Sequence, residues 1–348
     1  MRSMLKTSVA ALASTVVLAG GAIAAGHTPL TGELKIFLDT SNPAPRATME
    51  EMIARFQEMH PDLAIETTII DREAYKTQIR NFLTANPPDV ATWYAANRMK
   101  PYVEAGLFED VSDLWAEPEI AENLASTKGA MTIDDKQWGV PYTYYQWGIY
   151  YRKDVFDLLG LEEFQTWDDM LAGCAKMKEN GVTPFTIGTK FLWTAAGVFD
   201  YLNLRTNGYD VHNALTAGEI KYTDPRIVAT FDNWETLINE CGFVENHASM
   251  SWQDAIAPFA NGDAAMYVMG NFSVDGYKNA GLTYDQIDFM PFPTIDANVP
   301  LAEEAPADAF FIPTNAKNVE DDKKWLAFVA RPDVQTEWNK TIGQLPIN

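Results

Sequence analysis

Two short runs carry side chains suited to holding a small polar molecule: Asp39-Thr40-Ser41-Asn42 and Trp93-Tyr94-Ala95-Ala96-Asn97. Each closes an apolar, strand-like stretch with carboxylate, hydroxyl, amide or aromatic groups. Residues that break covalent bonds are harder to assemble. No G-x-S-x-G elbow is present, and Gly262-Asp263-Ala264 lacks the Lys and Ser/Thr of a phosphate-binding loop. His27, His60, His212 and His247 are scattered and join no cysteine cluster, so no zinc signature exists and no metal or cofactor is expected. Glu and Asp are numerous enough that the sequence alone does not exclude a catalytic carboxylate pair.

The elements that position those two runs follow from periodicity. Leu34, Ile36 and Leu38 alternate as in a half-buried strand, and Pro45 is expected to open a helix whose face is Met49, Met52, Ile53 and Phe56. Leu63, Ile65, Thr67 and Ile69 alternate again. Tyr75, Ile79, Phe82 and Leu83 line a second helix, and Asp89 to Trp93 reads as a buried strand. This β-α-β-α-β order predicts an α/β fold with a parallel sheet, whose ligands bind beyond the carboxyl ends of the strands. Further on, Tyr142 to Tyr151 reads as one long extended aromatic segment. Helices are predicted over Trp167–Met177, Ile227–Ile238, Trp252–Phe259 and Lys323–Val329, with a short strand at Phe310–Pro313. No Ser/Gly-rich linker separates the two halves, which predicts crossing on ordered strands.

At 348 residues the chain exceeds one typical domain, and 47% hydrophobic with 21% charged residues sets aside disordered and fibrous classes. Arg2 and Lys6, the apolar run Val9 to Ala19 and the small residues Gly20 to Ala25 read as a cleavable signal peptide over 1–25, with Ala22-Ile23-Ala24 as the cleavage pattern. The run falls short of the roughly twenty apolar residues a membrane span needs. Export to the periplasm is therefore expected, without stable membrane insertion. Cleavage takes the formal charge from −22 to about −24, which disfavours nucleic acid as a partner. Cys174 and Cys241 each sit in a helical apolar pattern and read as two buried free thiols, although spacing alone does not settle pairing.

Several motifs together resemble a known family. They are Pro88-Asp89-Val90, Ala105-Gly106-Leu107-Phe108, Trp138-Gly139-Val140-Pro141 through Tyr151-Arg152-Lys153-Asp154, and Thr166-Trp167-Asp168-Asp169-Met170. Phe259-Ala260-Asn261-Gly262-Asp263-Ala264-Ala265-Met266, Gly270-Asn271-Phe272, Lys324-Trp325-Leu326-Ala327-Phe328 and Pro332-Asp333-Val334-Gln335 complete the series. In this order they resemble the solute-binding proteins of ABC importers, in the large carbohydrate-binding family that includes maltodextrin-binding proteins. The resemblance implies a two-lobed periplasmic-binding-protein fold with hinge strands around a central cleft. The first lobe would hold 32–142 plus 311–348 and the second 143–310. It also implies a monomer that captures a carbohydrate without catalysis and delivers it to a membrane permease. Members of the family continue for several helices beyond the region matching Gly343-Gln344-Leu345-Pro346, whereas this sequence stops at Asn348.

Carried over residue by residue, the resemblance marks Asp39, Thr40 and Ser41 as polar contacts, with helix capping as the other role open to Thr40 and Ser41. Tyr94 and Asn97 match family binding positions, while Arg98 reads as a surface ion pair. Tyr145 falls at a contact position, and Tyr144 would face the opposite side. Trp193 is a stacking platform or a core residue. Asn271 and Phe272 follow Gly270, whose lack of a side chain admits close backbone approach. Trp252 and Asp308 complete the set. Sugars need aromatic platforms for their C–H faces and polar groups for their hydroxyls, and this set supplies both. Other readings are the same fold binding a polyamine, a glycerol phosphate or ferric iron, the last prompted by Tyr144-Tyr145, and a secreted glycoside hydrolase.

Overall fold

The computed structural model describes residues 29–40 and 42–347. The expected signal peptide and Ser41 lie outside the described residues. Two sheets organise the chain. The first takes β1 (Thr31–Leu38), β2 (Asp62–Ile69), β3 (Val90–Tyr94), β6 (Val140–Tyr144) and β11 (Ala307–Phe311) in the order β2-β1-β3-β11-β6. A small hairpin of β4 (Thr132–Ile133) and β5 (Lys136–Gln137) lies beside it. The second sheet takes β7 (Trp147–Arg152), β8 (Thr183–Thr186), β9 (Ala264–Gly270) and β10 (Ile287–Met290) in the order β10-β7-β9-β8. β1 runs parallel to β2 and β3, and β11 runs antiparallel between β3 and β6.

Each sheet has its own core. The first packs Leu34, Ile36, Phe56, Ile79, Trp93, Phe310 and Trp325; the second packs Ile149, Phe185, Tyr201, Phe259, Met266 and Phe292. α1 (Pro43–Met59) begins two residues earlier than Pro45 predicts, because both prolines fit the first helical turn, where no intrahelical N–H is needed. Its face of Met49, Met52, Ile53 and Phe56 is buried as the spacing predicts. α2 (Arg72–Ala85) is capped by Asp71, whose carboxylate accepts from the backbone N–H groups of Glu73 and Ala74 at 3.1 and 3.2 Å.

Three expectations are corrected. The aromatic run from Tyr142 to Tyr151 is two strands, not one, broken at Tyr145-Gln146 where the chain leaves the first sheet for the second. There it runs beside the returning segment: Tyr145 N–H donates to the Pro306 carbonyl at 3.1 Å and Trp147 N–H to that of Glu304 at 2.9 Å. The two crossings are thus laced together as a hinge. The helix predicted from Trp252 starts only at Ile256, because Asp254 instead accepts from the Ser251 backbone and hydroxyl in a tight turn. This leaves Trp252 outside the helix, packed against the second core. Finally, Cys174 and Cys241 form a disulfide with Cα atoms 4.9 Å apart. The apolar faces that bury each thiol, on Trp167–Glu179 and on the π-helical turn Leu237–Cys241, are packed against each other. Burial was read correctly, and its direction supplied the partner.

Candidate functional site

The carboxyl ends of β1 and β3 and the amino end of the antiparallel β11 converge on a guanidinium. β1 delivers Asp39, whose carboxylate accepts from the Thr92 hydroxyl at 2.9 Å. β11 sets Asp308 opposite Tyr94 of β3. Arg72, the first residue of α2, reaches all three. It lies 3.4 Å from Asp39 Oδ2, 3.2 Å from Asp308 Oδ2, and donates to the Tyr94 hydroxyl at 3.3 Å. From the hinge, the Tyr145 hydroxyl donates to Asp308 Oδ1 at 3.3 Å. Asp39 and Asp308 are buried, while the Arg72 side chain is about one third exposed. Burial pushes the Asp308 carboxyl above its ordinary range, Arg72 pulls it down, and Asp39 pushes it up again.

The second lobe supplies an aromatic wall centred on Phe272. Tyr145 and Trp252 meet its ring edge-on with centroids at 5.1 and 5.4 Å, and Trp147 and Trp193 lie at 6.0 and 6.3 Å. Gly270 is needed because a Cβ there would stand 2.4 Å from the Phe272 ring. The close approach expected at this glycine is therefore made by a neighbouring ring. Asn271 fixes the wall to the hinge, its N–H donating to the Gln146 carbonyl at 3.0 Å. Two buried polar atoms of the expected set, Thr40 Oγ1 and Asn271 Oδ1, have no hydrogen-bond partner. Asn97 reaches across the cleft, donating to the Thr216 hydroxyl at 3.0 Å.

Backbone strain marks the same place. Among the described residues, the positive-φ positions that are neither Gly, Asn nor Asp are Ala96 and Leu192, at 54° and 65°. Ala96 shapes the loop between Tyr94 and Asn97, and Leu192 immediately precedes Trp193. Strain of this kind is held where surrounding structure fixes a functional conformation. Between the lobes, a groove of about 320 Å³ runs past Trp252 and Phe272, walled on the other side by Asn42, Pro43, Ile342 and Gln344.

The family described as bacterial extracellular solute-binding protein matches residues 40–336. The chain belongs to that family. Among relatives of this solute-binding protein, an uncharacterized ABC transporter extracellular-binding protein of Pyrococcus horikoshii is 27% identical over 346 residues, covering 95% of this chain and 77% of its own. A multiple sugar-binding protein of Streptococcus mutans is 22% identical over 293 residues, covering 81% and 68%. Among solved structures, the bacterial solute receptor AcbH, described as having an exclusive preference for β-D-galactopyranose, superposes with a TM-score of 0.80 at 27% identity, covering 89% of this chain and 79% of that one. The fold of this solute-binding protein is two-lobed, as the resemblance implied, and its relatives are binding proteins. Among its described residues, no helix is long and apolar enough to cross a membrane, and no group of three or more His, Cys, Asp or Glu could hold a metal ion.

The structure brings Asp39, Tyr94, Tyr145 and Asp308 into one network and Trp193, Trp252 and Phe272 into one wall. Arg72, Trp147 and Lys76 were missed by the sequence reading, and Arg98 was set aside by it. Arg72 had a legible signal: it opens the helix that follows β2, at the strand-end edge where ligands bind. Arg98 is on the surface as expected, but in place of an ion pair it lies on the Tyr94 ring, 3.7 Å from its centroid.

Proposed function

We propose that this chain is the carbohydrate-capturing receptor of an ABC importer, a monomer exported to the periplasm by a cleaved signal peptide and acting without catalysis. The observation that carries this reading is the opposition of an aromatic wall on one lobe to a polar floor on the other. Trp193, Trp252 and Phe272 suit the C–H faces of a pyranose. Asp39 and Asp308, oriented by Arg72, suit its hydroxyls, because carboxylates accept and guanidinium donates in fixed geometry. Thr40 and Asn271 each keep one buried polar atom without a hydrogen-bond partner, and Ser41, Tyr94, Asn97 and Tyr145 are the remaining residues of the expected set. The named binding functions of the similar proteins support the same class. Asp39 and Asp308 belong to one lobe and share one cation, an arrangement unlike two carboxylates flanking a scissile bond.

In this mechanism the lobes hinge at the paired crossings near Tyr145 and Pro306, close on the sugar, and present the closed form to the permease. A thermal-shift screen of the mature protein against mono- and oligosaccharides, sugar derivatives, polyamines and ferric citrate tests it. A ligand binding only the folded state stabilises it by about 2.7 kcal/mol at a hundredfold excess over Kd. A shift with a sugar class is expected. A shift only with polyamine or iron overturns the carbohydrate reading.

A further inference from the structure

We infer that the solute is an anionic sugar derivative, bound with its hydroxyls on the Asp39–Arg72–Asp308 floor and its carboxylate or phosphate at Lys76 and Arg98. This inference rests on the carbohydrate reading above and adds the charge of the ligand.

The cations of the cleft divide into two sets. Arg72 is matched by two carboxylates, Asp39 and Asp308, and is committed to orienting them. Lys76 follows one turn later on α2, about 6 Å along the axis. It shares one carboxylate, Glu73, at 2.7 Å, and its ammonium lies over the Trp193 ring at 5.5 Å from the centroid. Arg98 is exposed and lies over the Tyr94 ring, and among the described residues no carboxylate reaches it within ion-pair distance. The floor therefore carries two negative charges to one positive, and the mouth carries two positive charges to one negative. Both mouth cations rest on rings of the expected binding set, Trp193 and Tyr94.

Three features make this arrangement hard to explain as plain surface chemistry. The chain has a formal charge of −22, so a positive mouth is a local exception. Lys76 is mostly buried, and burial lowers its ammonium pKa, helped by repulsion from Arg98 and Arg72 and opposed by Glu73. The cations thus repel one another at a place where a bound anion would relieve the repulsion. The two backbone-strained positions, Ala96 and Leu192, sit two residues before Arg98 and directly before Trp193, so the mouth stands on backbone that the surrounding structure must hold in place.

Titration calorimetry on the mature protein tests the assignment with matched pairs: D-galactose against D-galacturonate, D-glucose against D-glucuronate, and D-glucose 6-phosphate as the phosphate arm. At least one acid or phosphate is expected to bind about tenfold or more tighter than its neutral parent, as charge-assisted hydrogen bonds allow, with the margin shrinking as salt rises. Arg98→Gln should collapse the acid-to-parent affinity ratio towards one, and Lys76→Gln serves as a second variant; both are checked for wild-type melting. Tighter binding of the phosphate than of either uronate names phosphate as the group at the mouth. Equal affinities, preference for the neutral sugar, or a ratio unmoved in both variants overturns the inference while leaving carbohydrate binding intact. Binding of no sugar, charged or neutral, overturns both.

Discussion

Arg72→Ala should reveal what the guanidinium does for the two carboxylates it joins. Removing one partner of a buried ion pair costs about 3–5 kcal/mol, because the other charge stays buried and unmatched. Asp39 and Asp308 are 3% and 6% exposed, but the Arg72 side chain is 34% exposed, so water and salt screen part of the interaction. The discounted expectation is about 2 kcal/mol, or about 3 °C in melting temperature for a chain of 348 residues. The loss should also depend on pH in a definite direction. Burial already raises the Asp308 carboxyl above its unfolded value, and without Arg72 the repulsion from Asp39 goes unopposed. The folded state then holds a proton that the unfolded state releases, so stability falls as pH rises from the unfolded value near 4 through the raised folded one. The deficit relative to wild type should be large at pH 8 and shrink as pH falls towards 5 and the raised Asp308 carboxyl takes up its proton. Urea unfolding followed by tryptophan fluorescence at both pH values measures it. A deficit that is constant with pH, or larger at pH 5, refutes the reasoning, since the loss would then be one of packing.

Other predictions concern the supports around the site. Replacing both Cys174 and Cys241 by Ser should lower stability by about 4 kcal/mol, from the chain entropy of a 67-residue loop, measured by urea unfolding against the oxidised protein. Asp322 is buried with one oxygen unpartnered and its carboxyl pushed up to about 8, by burial first and then by Asp89 and Asp321. Wild-type stability should therefore fall as pH rises from about 4 to about 8. Asp322→Asn should flatten that fall and melt higher than wild type at pH 9, by at least about 1 kcal/mol. Gly197→Ala would put a Cβ 2.5 Å from the Trp147 ring, which carries Trp193 and Phe272. It should cost about 1–3 kcal/mol and weaken sugar binding together, seen by melting and calorimetry on one sample.

The parts of the fold legible in the sequence are those where one face decides the outcome. Met49, Met52, Ile53 and Phe56 are buried as spacing required, and Asp39 and Tyr94 stand at strand ends as alternation required. What escaped depended on distance between elements. Tyr145 and Asp308 were both named, yet only the crossing of Tyr145 beside Pro306 makes them neighbours. Arg72 looked like any cation at a helix start, because its value lies in carboxylates 33 and 236 residues away. Arg98 was set aside as a surface charge, since stacking on Tyr94 needs the turn made by Ala96, which no residue preference announces. The disulfide was hidden for the same reason: periodicity tells that a thiol points inward, not what it meets there.

The place of β11 in the first sheet has a consequence for the order in which the chain can fold as it emerges N-terminus first. It lies between β3 and β6 but is made after every strand of the second sheet. The second sheet, drawn wholly from residues 147–290, is complete before β11 emerges. Until then β3 and β6 have open edges and no common partner, and unpaired edges invite wrong pairing. The order of maturation is thus reversed relative to the usual vectorial rule: the middle of the chain can settle first, and the lobe begun earliest is sealed last.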